Sequence, residues 1–196
     1  MNRNALFQLL PFLVGILAGC ASTSVTVTGA APVATLCQTG ADPLNALFLW
    51  GPHWRADQKD VPAREGAAQK GIDQFLSSSG CYASYEVRRV PVDQPLSTED
   101  IQGVAAESKL KPNRVVVVTV RELGPLLKLF ASPALVDGST EVVLDLTTLD
   151  PANPSSRRDF TVHWQNGGPA VIKGVASLAD DMQVALAAAL APVGTR

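Results

Sequence analysis

The chain has 196 residues, a formal net charge of −2 and 46% hydrophobic residues. That apolar fraction is ordinary for a globular protein and excludes extended disorder. No clustered basic face exists to meet nucleic acid, and the length suits one domain with short extensions.

The first nineteen residues read as a signal peptide. Arg3 supplies the positive start, and Ala5 to Leu17 is apolar apart from Gln8, Pro11 and Gly15. A bilayer span needs about 20 apolar residues, so the run is too short to cross and suits the apolar region of a secretory leader. Small residues follow, then Cys20. Leu17-Ala18-Gly19-Cys20 resembles the lipobox of bacterial lipoproteins. The resemblance implies cleavage before Cys20, diacylglyceride and palmitate-type acylation on it, and a stable membrane anchor of several acyl chains. Ala21, where an Asp would favour the inner membrane in the enterobacterial sorting rule, implies the outer membrane, with the domain facing the periplasm.

Residues 20–41 are expected to be the lipidated terminus and a flexible tether, small and uncharged, with Gly29 and Pro32. The competing expectation is an edge strand around Val25 and Val27. The domain proper is expected over 42–192, with a tail at 193–196. Cys37 and Cys81 remain once Cys20 is lipidated, and secretion makes a disulfide their default state. Such a bridge contributes roughly 4 kcal/mol in the chain-entropy account.

Leu44 to Trp50 is an apolar run that predicts a buried strand. Pro62 marks the start of a helix in which Ala68, Ile72, Phe75 and Leu76 share a face, and Gly80 stops it. Tyr82 to Val90 predicts a second strand. Ser97 and Asp100 have capping-box spacing, opening a helix with Ile101, Val104, Ala105 and Ser108 on one face. Arg114 to Glu122 contains four adjacent valines, the mark of a central strand buried on both faces. Leu123 to Gly138 is read as a long, apolar strand connection with at most one or two helical turns. Thr140 to Leu149 and Asp159 to Gln165 predict two further strands, linked through Asp150 to Ser156. Ser177 and Asp180 again have capping-box spacing, before a last helix with Leu178, Met182, Ala185, Leu186, Ala189 and Leu190 as its apolar stripe.

The expected fold is α+β, a mixed sheet of about five strands with about three helices packed on it. Behind a lipobox, this order over about residues 42 to 192 resembles small periplasmic lipoprotein domains such as the TolB amino-terminal domain and the LpoB-type activators of peptidoglycan synthases. The likeness is one of element order and size, and it carries over no functional residue beyond Cys20.

The chemistry-bearing residues are few. His53 and His163 with Asp57 or Asp60 lack the short spacings of a zinc site, so no metal is expected and both histidines read as solvated. No nucleophile elbow, phosphate loop or His-Glu-x-x-His occurs. Asp180-Asp181 reads as first-turn acids favoured by the helix dipole. No catalytic residue and no cofactor is expected. Trp50, His53 and Trp54 read as a core-edge cluster, with a binding groove as the competing reading. Leu126, Leu127, Leu129 and Phe130 are the candidate partner contacts, because a short turn has only one face to bury and contiguous exposed apolar residues mark interaction sites; the competing reading, slightly favoured, is that the segment folds down and plugs one end of the core. The expected function is a non-catalytic, membrane-anchored protein that binds another envelope component. The alternatives are an auxiliary lipoprotein of a transport or secretion system holding an apolar ligand, or an envelope hydrolase.

Overall fold

The computed structural model describes residues 21–30, 44–129, 136–169, 171 and 173–190. The expected signal peptide, Cys20, Cys37, Phe130 and residues 191–196 lie outside them. Six strands form one mixed sheet: β1 (Ser22–Gly29), β2 (Leu44–Pro52), β3 (Tyr82–Arg89), β4 (Arg114–Leu129), β5 (Val136–Asp150) and β6 (Asn153–Pro169). Their order is β1-β6-β5-β4-β2-β3. Pairing is parallel where β2 meets β3 and β4, and antiparallel elsewhere. Three helices, α1 (Val61–Ser78), α2 (Thr98–Glu107) and α3 (Leu178–Leu190), complete an α+β fold.

β4 is the strand on which both faces turn. Val116 and Val118 face one side with Phe48, Trp50, Leu144, Leu146, Phe160, Val162 and Trp164, under the apolar faces of α1 and α3. Val115 and Val117 face the other side with Leu47, Leu49 and Leu149, under Ile101 and Ala105 of α2. Alternation of side chains along a strand makes this two-sided burial the direct consequence of an unbroken valine run.

The helix ends follow local chemistry. Pro62 stands in the first turn of α1, where its missing N–H would have no partner in any case. Gly80, at φ +65°, adopts the left-handed conformation just beyond the helix. In α2 the Ser97 hydroxyl accepts from the Asp100 N–H at 3.1 Å, and the Asp100 carboxylate accepts from the Ser97 N–H at 3.1 Å. The second expected box does not form in that way. A 3-10 turn at Val175–Ser177 precedes α3. The Ser177 hydroxyl donates to Asp181 Oδ2 at 2.9 Å, and the buried Asp181 also accepts from Lys173 Nζ at 2.8 Å.

Three expectations are corrected. The expected tether contains a strand, since β1 pairs along its whole length with β6, from Ser22↔Gly167 to Gly29↔Phe160. Leu123 to Leu129 is not a loop with helical turns. It continues β4 and pairs with β5 out to Leu129↔Val136. Leu123 is buried in the core and Leu126 is half-buried. The link from Asp150 to Ser156 is also shorter than expected, since Asn153 already belongs to β6 and pairs with Asp150. In each case backbone pairing with another strand overrides what the local sequence suggests.

Among the described residues no helix is long and apolar enough to cross a membrane.

Candidate functional site

The three helices cover the sheet unevenly. α1 and α3 lie over one face, whereas α2 covers only the β2 and β4 side of the other. The uncovered part of that second face belongs to β4, β5, β6 and β1, and most of its side chains are polar, Val117 being an exception. In one cross-strand row Thr119, Asp145, Thr161 and Thr28 stand opposite one another, and in the next Val117, Thr147 and Asp159 do so.

This row pattern is the floor of a groove of about 750 Å³. One wall is the segment from Val92 to Leu96 that joins β3 to α2. Gly51 lets this wall approach, since a β-carbon there would stand 2.9 Å from Val92 Cγ2. Arg157 ties the wall to the floor. Its Nη1 donates to the Leu96 carbonyl at 3.0 Å and to Thr98 Oγ1 at 3.2 Å, while Nε and Nη2 donate to Asp159 at 2.9 and 3.0 Å.

The groove is preorganised by its own polar pairs. Arg121 Nη1 donates to Asp145 Oδ2 at 3.0 Å, and Thr161 Oγ1 donates to Asp145 Oδ1 at 2.7 Å. Thr147 Oγ1 donates to Asp159 Oδ1 at 2.6 Å. Partial burial pushes the Asp159 carboxyl upward, but the hydrogen bonds from Arg157 and Thr147 and the Arg157 charge outweigh it. The carboxyl is held below its ordinary range. Both carboxylates thus already accept hydrogen bonds from arginine and threonine donors. The arrangement offers a surface of fixed donors and acceptors.

The structure distributes the sequence candidates. Trp50 is buried, donates from Nε1 to Gln69 Oε1 at 2.7 Å, and has the Arg89 guanidinium 5.5 Å from its ring centroid. Trp54 packs on the edge of the core, and His53 is exposed beside the groove. His163 lies on β6 with Nε2 2.5 Å from Glu141 Oε1. Among the described residues no three metal-ligating side chains gather. Asp180 and Asp181 occupy the first turn of α3. Cys81 directly precedes β3, whereas Cys37 and Cys20, the expected lipidation residue, lie outside the described residues. Leu126, Leu127 and Leu129 fall on the outer part of the β4–β5 hairpin, beyond Val120, which pairs with the last residue of β2.

Sequence reasoning missed the groove. Its signal was the polar side of two strands, Thr147 and Asp145 on β5 and Asp159, Thr161 and His163 on β6, which alternation alone assigns to water.

Comparison with families and curated proteins finds no family model and no curated protein that matches the chain. Solved structures to which the chain shows some similarity include the PelC dodecamer from Paraburkholderia phytofirmans. That match has 13% identity and a TM-score of 0.44, covering 87% of this chain and 99% of that one. They also include lipoprotein GNA1162 from Neisseria meningitidis. There the identity is 14% and the TM-score 0.40, over 72% of this chain and 95% of that one. Likenesses of this degree carry no argument about activity, partner or assembly.

Proposed function

We propose that the chain is a lipid-anchored protein of the bacterial envelope, cleaved before Cys20 and facing the periplasm from the outer membrane. It binds another envelope component and catalyses no reaction. The observation that supports binding is the groove, a preorganised polar concavity on the one part of the sheet that no described helix covers. Its carboxylates are already engaged by Arg121, Arg157, Thr147 and Thr161, which favours recognition over proton transfer. Anchoring rests on the apolar leader and Leu17-Ala18-Gly19-Cys20.

The outer β4–β5 hairpin is a second contact surface, through Leu126, Leu127 and Leu129, together with Phe130, which lies outside the described residues. It runs past the end of β2 and so stands at the margin of the sheet.

Two substitutions test the reading. Cys20→Ser is expected to abolish acyl labelling and release the domain from membranes. Normal labelling in that variant overturns the anchor. Thr119→Trp fills the groove from its floor. It is expected to keep the melting temperature and to lose the partner identified by crosslinking the unaltered protein in cells. Retention of that crosslink overturns the groove as the binding surface.

A further inference from the structure

The register of β1 fixes which end of the sheet lies next to Cys20. Ser22, the first residue of β1, stands opposite Gly167 of β6. Gly167 stands opposite Ser139 of β5, and Ser139 opposite Leu126 of β4. These four residues form one row across the sheet, about 14 Å long at the usual strand spacing. All three pairings are antiparallel, so the chain enters the sheet along β1 at the row where β4 runs out of it. Cys20 is two residues before Ser22, and two residues of chain reach at most about 7 Å. Because β1 is paired from Ser22 onward, the flexible length expected between Cys20 and the domain is not there.

Beyond this row the β4–β5 hairpin continues through Leu127↔Gly138, Lys128↔Asp137 and Leu129↔Val136. Three further pairs extend it by about 10 Å. Leu126, Leu127, Leu129 and Val136 put four apolar residues on this projection. Its two charges, Lys128 and Asp137, are of opposite sign and stand opposite each other. The other end of the sheet has a different character. There Lys109 and Lys111, just before β4, are exposed.

We infer that the outer β4–β5 hairpin rests on the phospholipid surface that holds Cys20. The inference rests on the lipid-anchor reading of Cys20 and names the partner of the hairpin. An acyl anchor on Cys20 brings lipid headgroups to the end of the sheet where the apolar projection stands, and the reach of the anchor is shorter than the projection. The projection has no net charge, and a lysine beside leucines can keep its ammonium among headgroups while its stem lies along apolar surface. Depth follows from the backbone. Past Val120 no described strand pairs with β4 on its β2 side. An open strand edge does not enter hydrocarbon, so the hairpin lies at headgroup level, its apolar residues at the acyl boundary. The exposed lysines at the far end then point into the periplasm.

Photocrosslinking of the full chain tests this. A benzoylphenylalanine is placed at Leu127 or, as the control at the opposite end of β4, at Lys109. Each protein is irradiated in cell membranes and in phosphatidylethanolamine–phosphatidylglycerol vesicles, and its mass and acyl labelling are measured. The expected result is acyl label in both proteins, a phospholipid adduct at position 127 and none at position 109. Acyl label with no more lipid adduct at 127 than at 109 overturns this inference and leaves the anchor standing. An adduct at 127 with a protein in place of phospholipid also overturns it. Absence of acyl label overturns the anchor and this inference together.

Discussion

Gly71 of α1 lies against Met182 of α3 so closely that a β-carbon at Gly71 would stand 2.6 Å from Met182 Cβ and 2.6 Å from the Ala179 carbonyl. The two helices share one face of the sheet, and this contact sets their separation. Gly71→Ala is expected to destabilise by about 1–3 kcal/mol through overpacking, despite the better helix propensity of alanine. Gly66, one turn and a half earlier in α1, has nothing within 4 Å of the same position. There Gly66→Ala should stabilise by about 0.5–1 kcal/mol. Urea unfolding of both variants checks the pair, and equal effects of one sign would refute the close-contact account.

Arg64 has the role of a missing strand. Where β2 ends, the buried Arg64 guanidinium donates to the Leu123 carbonyl on the exposed edge of β4 and lies 3.4 Å from Glu122 Oε1, while its Nε donates to the Lys59 carbonyl at 2.8 Å. Gly124 admits it, since any β-carbon there would collide with the guanidinium. Arg64→Met should cost about 3 kcal/mol, because it leaves a half-buried carboxylate and a carbonyl short of partners. Thermal unfolding measures it. A loss below about 1 kcal/mol would mean that water replaces the guanidinium without penalty.

The Asp159 carboxyl is held low by Arg157 and Thr147. A depressed folded-state value stabilises the fold above the unfolded value of about 3.9. That contribution is lost as the pH falls through the lower folded value. Asp159→Asn should therefore lower stability at neutral pH and flatten its decline in acid. Unfolding free energies followed from pH 7 to pH 2 give the comparison. Parallel curves for the two proteins would contradict the assignment.

A Cys37–Cys81 disulfide is proposed from the secretion signal. Protein taken from the periplasm should then weigh two hydrogens less than the free dithiol, and Cys81→Ser should destabilise by about 2–4 kcal/mol. Alkylation of both thiols without prior reduction would contradict the pairing.

The double substitution Leu127→Ser with Phe130→Ser addresses the outer hairpin. A contact surface keeps its melting temperature and loses its partner. Burial in the core would instead show as a loss of about 2–5 kcal/mol for each residue, and that result would remove the hairpin from the contact surface.

Much of this fold is legible in the sequence because it is local. The four valines of β4 announce a strand buried on both faces, Ser97 and Asp100 cap α2 through bonds three residues apart, and Gly80 ends α1 by its own backbone freedom. The apolar leader and Cys20 are likewise a matter of adjacent residues. What only the tertiary structure decided is non-local. β1 looks like a tether because no residue of it is buried, and it becomes a strand only because β6 lies beside it. Leu123 to Leu129 looks like a greasy loop until β5 pairs with it, since Gly124 and Pro125 interrupt any local pattern. The groove depends on α2 covering half of one sheet face, and no periodicity within α2 says how far across the sheet it reaches. Strand pairing and helix placement are set by partners distant in the chain, whereas capping, turning and alternation are set by neighbours.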